Sequence, residues 1–330
     1  MTTLAKVILA LSVTLTLPLN ADIYKSANCF RADLPDYQAF LGFLTQKNPG
    51  KAEIVAKRTN KLIGQENYDK AKSNLNCYFM SYENDGLTIP GYLVEPKNMK
   101  DKKFPVVVYN RGGNANYGAI IFYRLFNMIF PLAQGDYIVV ASQYRGMNPN
   151  KPEEYGNDEF GGRDVSDVHK LIDLVKQHPN ADPENIFLVG ASRGAIMNYL
   201  VAKQRNDIRA MVSLAGPTDL LKGLEWRPEM EKVFQERIPN YEENKESELK
   251  KRSVMYWPEQ LPEETPILLL HGEQDKRVNV KDSIKFSKKL DELERANKLV
   301  VYEDENHFFS KNKDNLMKEI FSWLKTNLKR

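Results

Sequence analysis

The stretch Ile186-Phe187-Leu188-Val189-Gly190-Ala191-Ser192-Arg193-Gly194-Ala195-Ile196-Met197 decides how the chain folds. It opens with four consecutive apolar residues, as in a strand buried on both faces, and it continues as an apolar stretch that suits a helix. Between the two lies Gly190-Ala191-Ser192-Arg193-Gly194, a G-x-S-x-G sequence. A sharp strand-to-helix turn strains its central residue, and glycine on either side removes the side chains that would meet the neighbouring backbone. Ser192 is thereby expected at the carboxyl end of a strand, facing the positive end of the following helix, where negative charge is favoured.

Working outward, the same kind of short apolar run recurs at Val106 to Tyr109, Tyr137 to Ala141, Ala210 to Leu214, Ile267 to Leu270 and Leu299 to Tyr302. The long segments between them suit crossover helices, at about Arg163 to Gln177, Arg193 to Lys203, Lys281 to Arg295 and Lys313 to Leu328. The fold class is α/β, a doubly wound, mostly parallel sheet flanked by helices. Ahead of it, Tyr78, Met80 and Tyr82 alternate against Leu87, Ile89 and Tyr92 around Asn84-Asp85-Gly86, which predicts a β-hairpin. Residues 34 to 73 show helical spacing broken at Asn48-Pro49-Gly50, which predicts a helical pair. The segment from Pro217 to Pro262 has no strand pattern and is read as a helical insertion, a possible lid over the site. The organisation is therefore a helical N-terminal extension over 22–75 and a catalytic domain over 76–330, with the insertion at 217–262 inside it.

A chain of 330 residues, 42% hydrophobic and 28% charged, is long enough to bury a sizeable core. Its 47 basic and 44 acidic residues leave a formal charge of +3, and no long block of like charge suggests a nucleic-acid arm. Lys6, the apolar run Val7 to Leu19 and then Asn20-Ala21 have the layout of a signal peptide cleaved after Ala21, which implies a periplasmic or secreted protein. At 13 residues the run falls short of the roughly 20 needed to span a bilayer, so no stable membrane span is expected after processing. Export would put Cys29 and Cys77 in an oxidising compartment where they could pair; buried free thiols are the equal alternative.

A serine hydroxyl is a weak nucleophile and needs a base, and there are four histidines to choose from. His169 lies within an amphipathic helical pattern and His178 precedes Pro179 at its end, positions typical of packing and capping. His271 ends a strand but precedes any acid partner. His307, after the last strand, is left as the base, and the acid should follow the strand before it, within Gly272-Glu273-Gln274-Asp275. Asp275 is chosen because Val278 and Val280 return to the core behind it; Glu273 is the second choice, and Asp219 is set aside because it heads the insertion. The acid would accept the Nδ1 proton of His307 and fix its tautomer. For the oxyanion of a tetrahedral intermediate, the N–H of Arg193 and the loop Asn110-Arg111-Gly112-Gly113-Asn114 are the expected donors, its glycines allowing close approach of the backbone.

These residues resemble the catalytic domain of the prolyl oligopeptidase family of serine peptidases, within the α/β-hydrolase superfamily. The resemblance covers about Asp85 to Lys325 and rests on Asp85-Gly86-Leu87-Thr88-Ile89-Pro90-Gly91, Tyr109-Asn110-Arg111-Gly112-Gly113, Tyr144-Arg145-Gly146, Glu159-Phe160-Gly161-Gly162-Arg163-Asp164-Val165, Gly190 to Gly194, His271-Gly272-Glu273-Gln274-Asp275 and Asn306-His307-Phe308. It implies the triad Ser192, Asp275, His307 and an oxyanion hole of Arg111, Gly112 and Arg193. Two departures stand out. The helical stretch ahead of the core is short for the β-propeller that gates access in the oligopeptidases, and Arg111 occupies the place where many members carry a tyrosine that donates its phenol.

The expected activity is hydrolysis through an acyl-enzyme, with esterase and small-peptide hydrolase both open and a small ester or short peptide as substrate. The reading from a different class is a non-catalytic binding protein on a hydrolase scaffold. The dispersed histidines form no H-E-x-x-H, and no metal or cofactor is expected.

Overall fold

The computed structural model describes residues 23–100 and 102–329. The expected signal segment lies outside them. Among the described residues nine strands form one sheet: β1 Ile23–Asn28, β2 Leu75–Asn84, β3 Leu87–Pro96, β4 Phe104–Asn110, β5 Ile138–Ser142, β6 Ala181–Ala191, β7 Ile208–Leu214, β8 Ile267–Gly272 and β9 Asn297–Tyr302. Their order is β1-β2-β3-β5-β4-β6-β7-β8-β9. The pairs from β5 through β9 are parallel and those from β1 to β5 antiparallel.

Every parallel run read from the sequence is a strand, and from β4 to β8 for the reason it was legible, that side chains on both faces are largely buried; β9, at the edge of the sheet, is only partly covered. Val106, Val108, Leu188, Met211 and Leu269 point into one layer with the helices Asp164–Val175, Arg193–Ala202 and Val280–Glu292. Val107, Val139, Phe187, Val189, Val212, Leu268 and Leu270 point into the opposite layer with the helices Tyr37–Gln46, Ile129–Gln134 and Lys313–Thr326. A period of two thus feeds two cores at once. The hairpin also forms as expected. Asn84 pairs with Leu87, leaving Asp85 and Gly86 as a two-residue loop with φ of +52° and +73°, the left-handed pair that suits the twist of the strands.

The extension departs from the expected helical pair. Its first described residues form β1, antiparallel to β2, and three helices follow, Tyr37–Gln46, Ala52–Leu62 and Gly64–Asn74. The sequence Ile-Tyr-Lys-Ser-Ala-Asn has too little apolar alternation to announce a strand; an edge strand needs only a partner, which β2 supplies. Gly64, at φ +69°, ends the preceding helix and separates the second helix from the third. Cys29 and Cys77 form a disulfide, and the Cys29 N–H donates to Cys77 O at 2.9 Å, so β1 is both stapled and hydrogen-bonded to the sheet. Phe30, Phe40 and Tyr68 of the extension pack with Phe122, Phe126 and Phe130, ring centroids 5.3 to 6.3 Å apart, and so bind the extension to the segment that follows the glycine loop after β4.

The insertion is helical as read, comprising Leu220–Trp226, Met230–Arg237 and Tyr241–Lys251 with two short 3₁₀ turns. Phe234 anchors it on Phe160 at 5.2 Å. No helix among the described residues is long and apolar enough to cross a membrane.

The disulfide closes a loop of 48 residues. Replacing both cysteines by serine is expected to lower unfolding free energy by about 2–4 kcal/mol, read as a fall in the urea midpoint, with a slope no smaller than the parent's because the unfolded chain is released to expose more surface. Identical midpoints for the variant and the parent would show that β1 is held without the covalent bond.

Candidate active site

Ser192 occupies the turn between β6 and the helix Arg193–Ala202 with φ 55° and ψ −123°, a conformation costly to a residue with a side chain. Its surroundings leave no alternative. A Cβ at Gly190 would come within 2.2 Å of Gly194 O, and one at Gly194 within 1.9 Å of Asn110 O. The Ser192 N–H is anchored to Leu214 O on β7 at 2.8 Å. The hydroxyl is therefore presented at the carboxyl edge of the sheet, as the sequence implied.

Asp275 and His307, the residues predicted as acid and base, sit on the same edge, beyond β8 and β9. His307 Nδ1 lies 2.7 Å from Asp275 Oδ2, with the Asp275 side chain fully buried. The other carboxylate oxygen, Oδ1, accepts from the N–H groups of Arg277 at 2.7 Å and Val278 at 3.0 Å. Burial alone would raise the Asp275 pKa, but hydrogen bonds from His271, His307 and the Val278 N–H outweigh it and hold the carboxyl well below the usual range. With Nδ1 donating to the carboxylate, His307 Nε2 is left as the acceptor nitrogen. The hydrogen bond to Asp275 is the one the His307 ring makes among the described residues.

His271, set aside in the sequence reading, supports this pair from beneath. Its Nε2 lies 3.1 Å from Val278 O and 3.3 Å from Asp275 Oδ2, and its Nδ1 lies 2.7 Å from Ser283 Oγ. A carbonyl accepts only, so Nε2 carries the proton and Nδ1 accepts from Ser283. A position at a strand end four residues before the acid was the available signal; its burial was not legible. Glu273 is exposed, and Asp219 accepts from the Lys222 N–H as a helix cap. His169 and His178 lie apart from this pair, the first with its pKa lowered by burial and the second 3.1 Å from Glu95.

The glycine loop after β4 lies against Ser192: a Cβ on Gly112 would be 3.1 Å from Ser192 Cβ. Among the described residues the N–H groups of Gly112 and Arg193 find no hydrogen-bond acceptor. The Arg111 guanidinium has a different task from the donor role its position suggested. It is buried and turned inward, donating to Gln143 O at 2.6 Å, Ala115 O at 2.7 Å and Gly112 O at 3.1 Å. Loop carbonyls with no other partner draw it in, and burial, with the neighbouring Arg193 charge, lowers its pKa to about 10.

The Arg193 side chain ties this loop to the serine turn. Buried between the rings of Tyr144 and Phe160, it donates to Asp158 Oδ2 at 2.6 Å, to Gly113 O at 3.0 Å and to Asp164. Asp158 Oδ2 also accepts from the Ala115 N–H at 2.8 Å. One ion network therefore holds both sides of the pair of free N–H groups. Burial lowers the Arg193 pKa, yet the two aspartates more than reverse this and keep the cation well above its ordinary value.

A mostly parallel sheet with a serine at such a turn, and an acid and histidine on the following strand ends, defines an α/β-hydrolase. Residues 123–330 match the model of the prolyl oligopeptidase family, Peptidase_S9, and the chain belongs to that family. It is a serine hydrolase of peptidase type. The chain is 26% identical over 266 residues to the uncharacterized peptidase YtmA of Bacillus subtilis, covering 80% of this chain and 99% of that protein. It is 26% identical over 263 residues to dipeptidyl-peptidase 5 of Porphyromonas gingivalis, covering 74% of this chain but 37% of that one. Among solved structures, the acylaminoacyl peptidase of Pyrococcus horikoshii superposes with a TM-score of 0.66 at 19% identity, over 78% of this chain and 42% of that one. Apart from YtmA, then, these relatives are more than twice as long as the part matched.

Arg193→Met should strand two buried carboxylates and cost about 3–5 kcal/mol of stability, measured by urea unfolding; a loss under about 1 kcal/mol would mean the aspartates find other partners. Asp275 has a depressed folded pKa, so its contribution is complete above an unfolded value of about 3.9 and is lost as pH falls below it. Asp275→Asn is accordingly expected to flatten the acid limb of a Tm against pH curve below about pH 4; an unaltered limb would refute the assignment.

Proposed function

We propose that this chain cleaves amide or ester bonds of short peptides or small acyl compounds through an acyl-enzyme, with Ser192 as nucleophile, His307 as base and Asp275 as the acid that orients it. The observation carrying this reading is the 2.7 Å hydrogen bond from His307 Nδ1 to the fully buried Asp275, on the edge where Ser192 stands in its strained turn. In such an arrangement Ser192 Oγ attacks the acyl carbon as His307 Nε2 takes its proton. The leaving amine or alcohol then receives that proton, and a water activated by the same nitrogen releases the acid. The free N–H groups of Arg193 and Gly112 would receive the oxyanion. The family and the names of the relatives favour a peptide over an ester. The Cys29–Cys77 disulfide supports an oxidising compartment, in keeping with export to the periplasm or beyond.

The test is fluorophosphonate labelling of the folded protein beside Ser192→Ala, followed by turnover of paired p-nitrophenyl esters and peptide anilides. Labelling should vanish in Ser192→Ala. Asp275→Asn should lower kcat by about 10⁴, because the amide no longer selects the Nδ1–H tautomer. Folded wild type that takes no label would transfer the argument to a binding protein on a hydrolase scaffold.

A further inference from the structure

Between the last strand and the last helix the chain runs over the surface, and His307 stands in the middle of that passage. Of residues 303–310 only Glu305 and Phe309 are buried. Phe309 is an apolar anchor, its ring packed edge-on against that of Tyr302 at 5.8 Å. Glu305 is of a different kind. It is the third of three consecutive acidic residues, and while Glu303 and Asp304 stay in water its own side chain is fully buried. Burying a carboxylate is costly unless hydrogen bonds compensate it.

Those hydrogen bonds run to both ends of the His307 loop and to the loop of Asp275. Glu305 Oε1 accepts from the N–H of Lys311 at 2.7 Å and from that of Asn312, the residue that opens the helix Lys313–Thr326. The positive end of that helix favours a carboxylate there, and bonds to a charged acceptor are the stronger kind. The backbone of Glu305 is engaged as well. Its N–H donates to Tyr302 O at 3.2 Å, and its carbonyl accepts at 2.9 Å from the N–H of Gln274, the residue before Asp275. Gly272 is pressed onto the same carbonyl, where a Cβ would lie 2.3 Å away. At Glu305, therefore, the chain leaving β9, the start of the last helix and the Asp275 loop are joined. Asn306 has no such reach: its side chain accepts from the Phe308 N–H and donates to Ser310 within the loop.

The second carboxylate oxygen, Oε2, is buried and has no hydrogen-bond partner among the described residues. A half-satisfied carboxylate in the interior costs stability, so holding the fold together does not account for it. Fixing the loop does. We infer that Glu305 is the positioning residue for His307: by tying the two ends of its loop to each other and to the Asp275 loop, it keeps the imidazole Nδ1 at the 2.7 Å separation from Asp275 Oδ2. This inference rests on the hydrolase reading above.

The experiment measures fluorophosphonate labelling, kcat and KM on a short peptide anilide, and the low-field NMR resonance of the His307 Nδ1–H, in wild type, Glu305→Gln, Glu305→Asp and Glu305→Met. Glutamine keeps an acceptor oxygen at the same reach and should hold kcat within about threefold. Aspartate falls one methylene short and methionine offers no acceptor, so both should lower kcat by about 10²-fold with KM changed by less than about twofold. The resonance should persist in Glu305→Gln and be lost from the other two. In an Asp275→Asn background Glu305→Met should lower kcat by less than about threefold more, because groups that act as one unit are not additive. A side chain that only stabilises the fold would leave kcat per labelled site and the resonance unchanged in every folded variant, and it would cost the same in both backgrounds. Either result overturns the inference and leaves the hydrolase reading standing. So does Glu305→Gln as impaired as Glu305→Met, since the acceptor is then not what matters. Should Glu305→Met fail to fold, Glu305→Asp decides by the same criteria, alone and in the Asp275→Asn background. Wild type that takes no label overturns both readings.

Discussion

The left-handed backbone at Ser192 is the constraint from which the site is built. A φ of 55° and ψ of −123° are unfavourable for any residue with a Cβ, and the turn persists because everything around it is already committed. β6 is hydrogen-bonded on both sides, to β4 and β7, and the helix that follows is buried along its whole length. Gly190 and Gly194 touch one another and the loop after β4 at distances that exclude a methyl group. Relaxing the serine would mean separating β6 from its neighbours or opening the packed core, so the strain is held by interactions much larger than itself.

A second layer of support is electrostatic. Arg193, the residue after Ser192, turns its side chain into a buried pair of aspartates while, among the described residues, its N–H finds no acceptor. Because Asp158 also binds the Ala115 N–H, and Arg193 also binds Gly113 O, the two backbone segments that offer free donors are parts of one rigid body. Buried ion pairs contribute little net stability but are costly to break on one side, which suits a role in fixing geometry. Preorganised donors of this kind need no rearrangement when charge develops. His271 does for Asp275 what Arg193 does for the loop: it lies buried against the carboxylate, its Nε2 3.3 Å from Oδ2.

The extension and the insertion meet the catalytic core through aromatic contacts, not through the sheet edge alone. Phe122, Phe126 and Phe130 belong to the segment just beyond the glycine loop, and the extension grips that segment with Phe30, Phe40 and Tyr68. Phe234 of the insertion packs on Phe160, which itself lies over Arg193. Each accessory element thereby packs on a segment adjoining the residues around Ser192, the extension on the helices after the glycine loop and the insertion on the ring that covers Arg193.

The sequence by itself determined the parallel strands, the hairpin, the serine turn and the pairing of Asp275 with His307. Apolar runs and periodicity report burial directly, G-x-S-x-G between strand and helix has one mechanical meaning, and chain order leaves a single histidine downstream of the acid. Only the tertiary structure decided the strand at Ile23–Asn28, the union of Cys29 with Cys77, the inward turn of Arg111 and the place of His271 under Asp275. Each of these depends on partners brought from distant parts of the chain: a free strand edge, a carbonyl of Gln143, a hydroxyl of Ser283. A polar side chain's direction is set by which donors and acceptors the fold leaves unsatisfied around it, and local pattern carries no record of that.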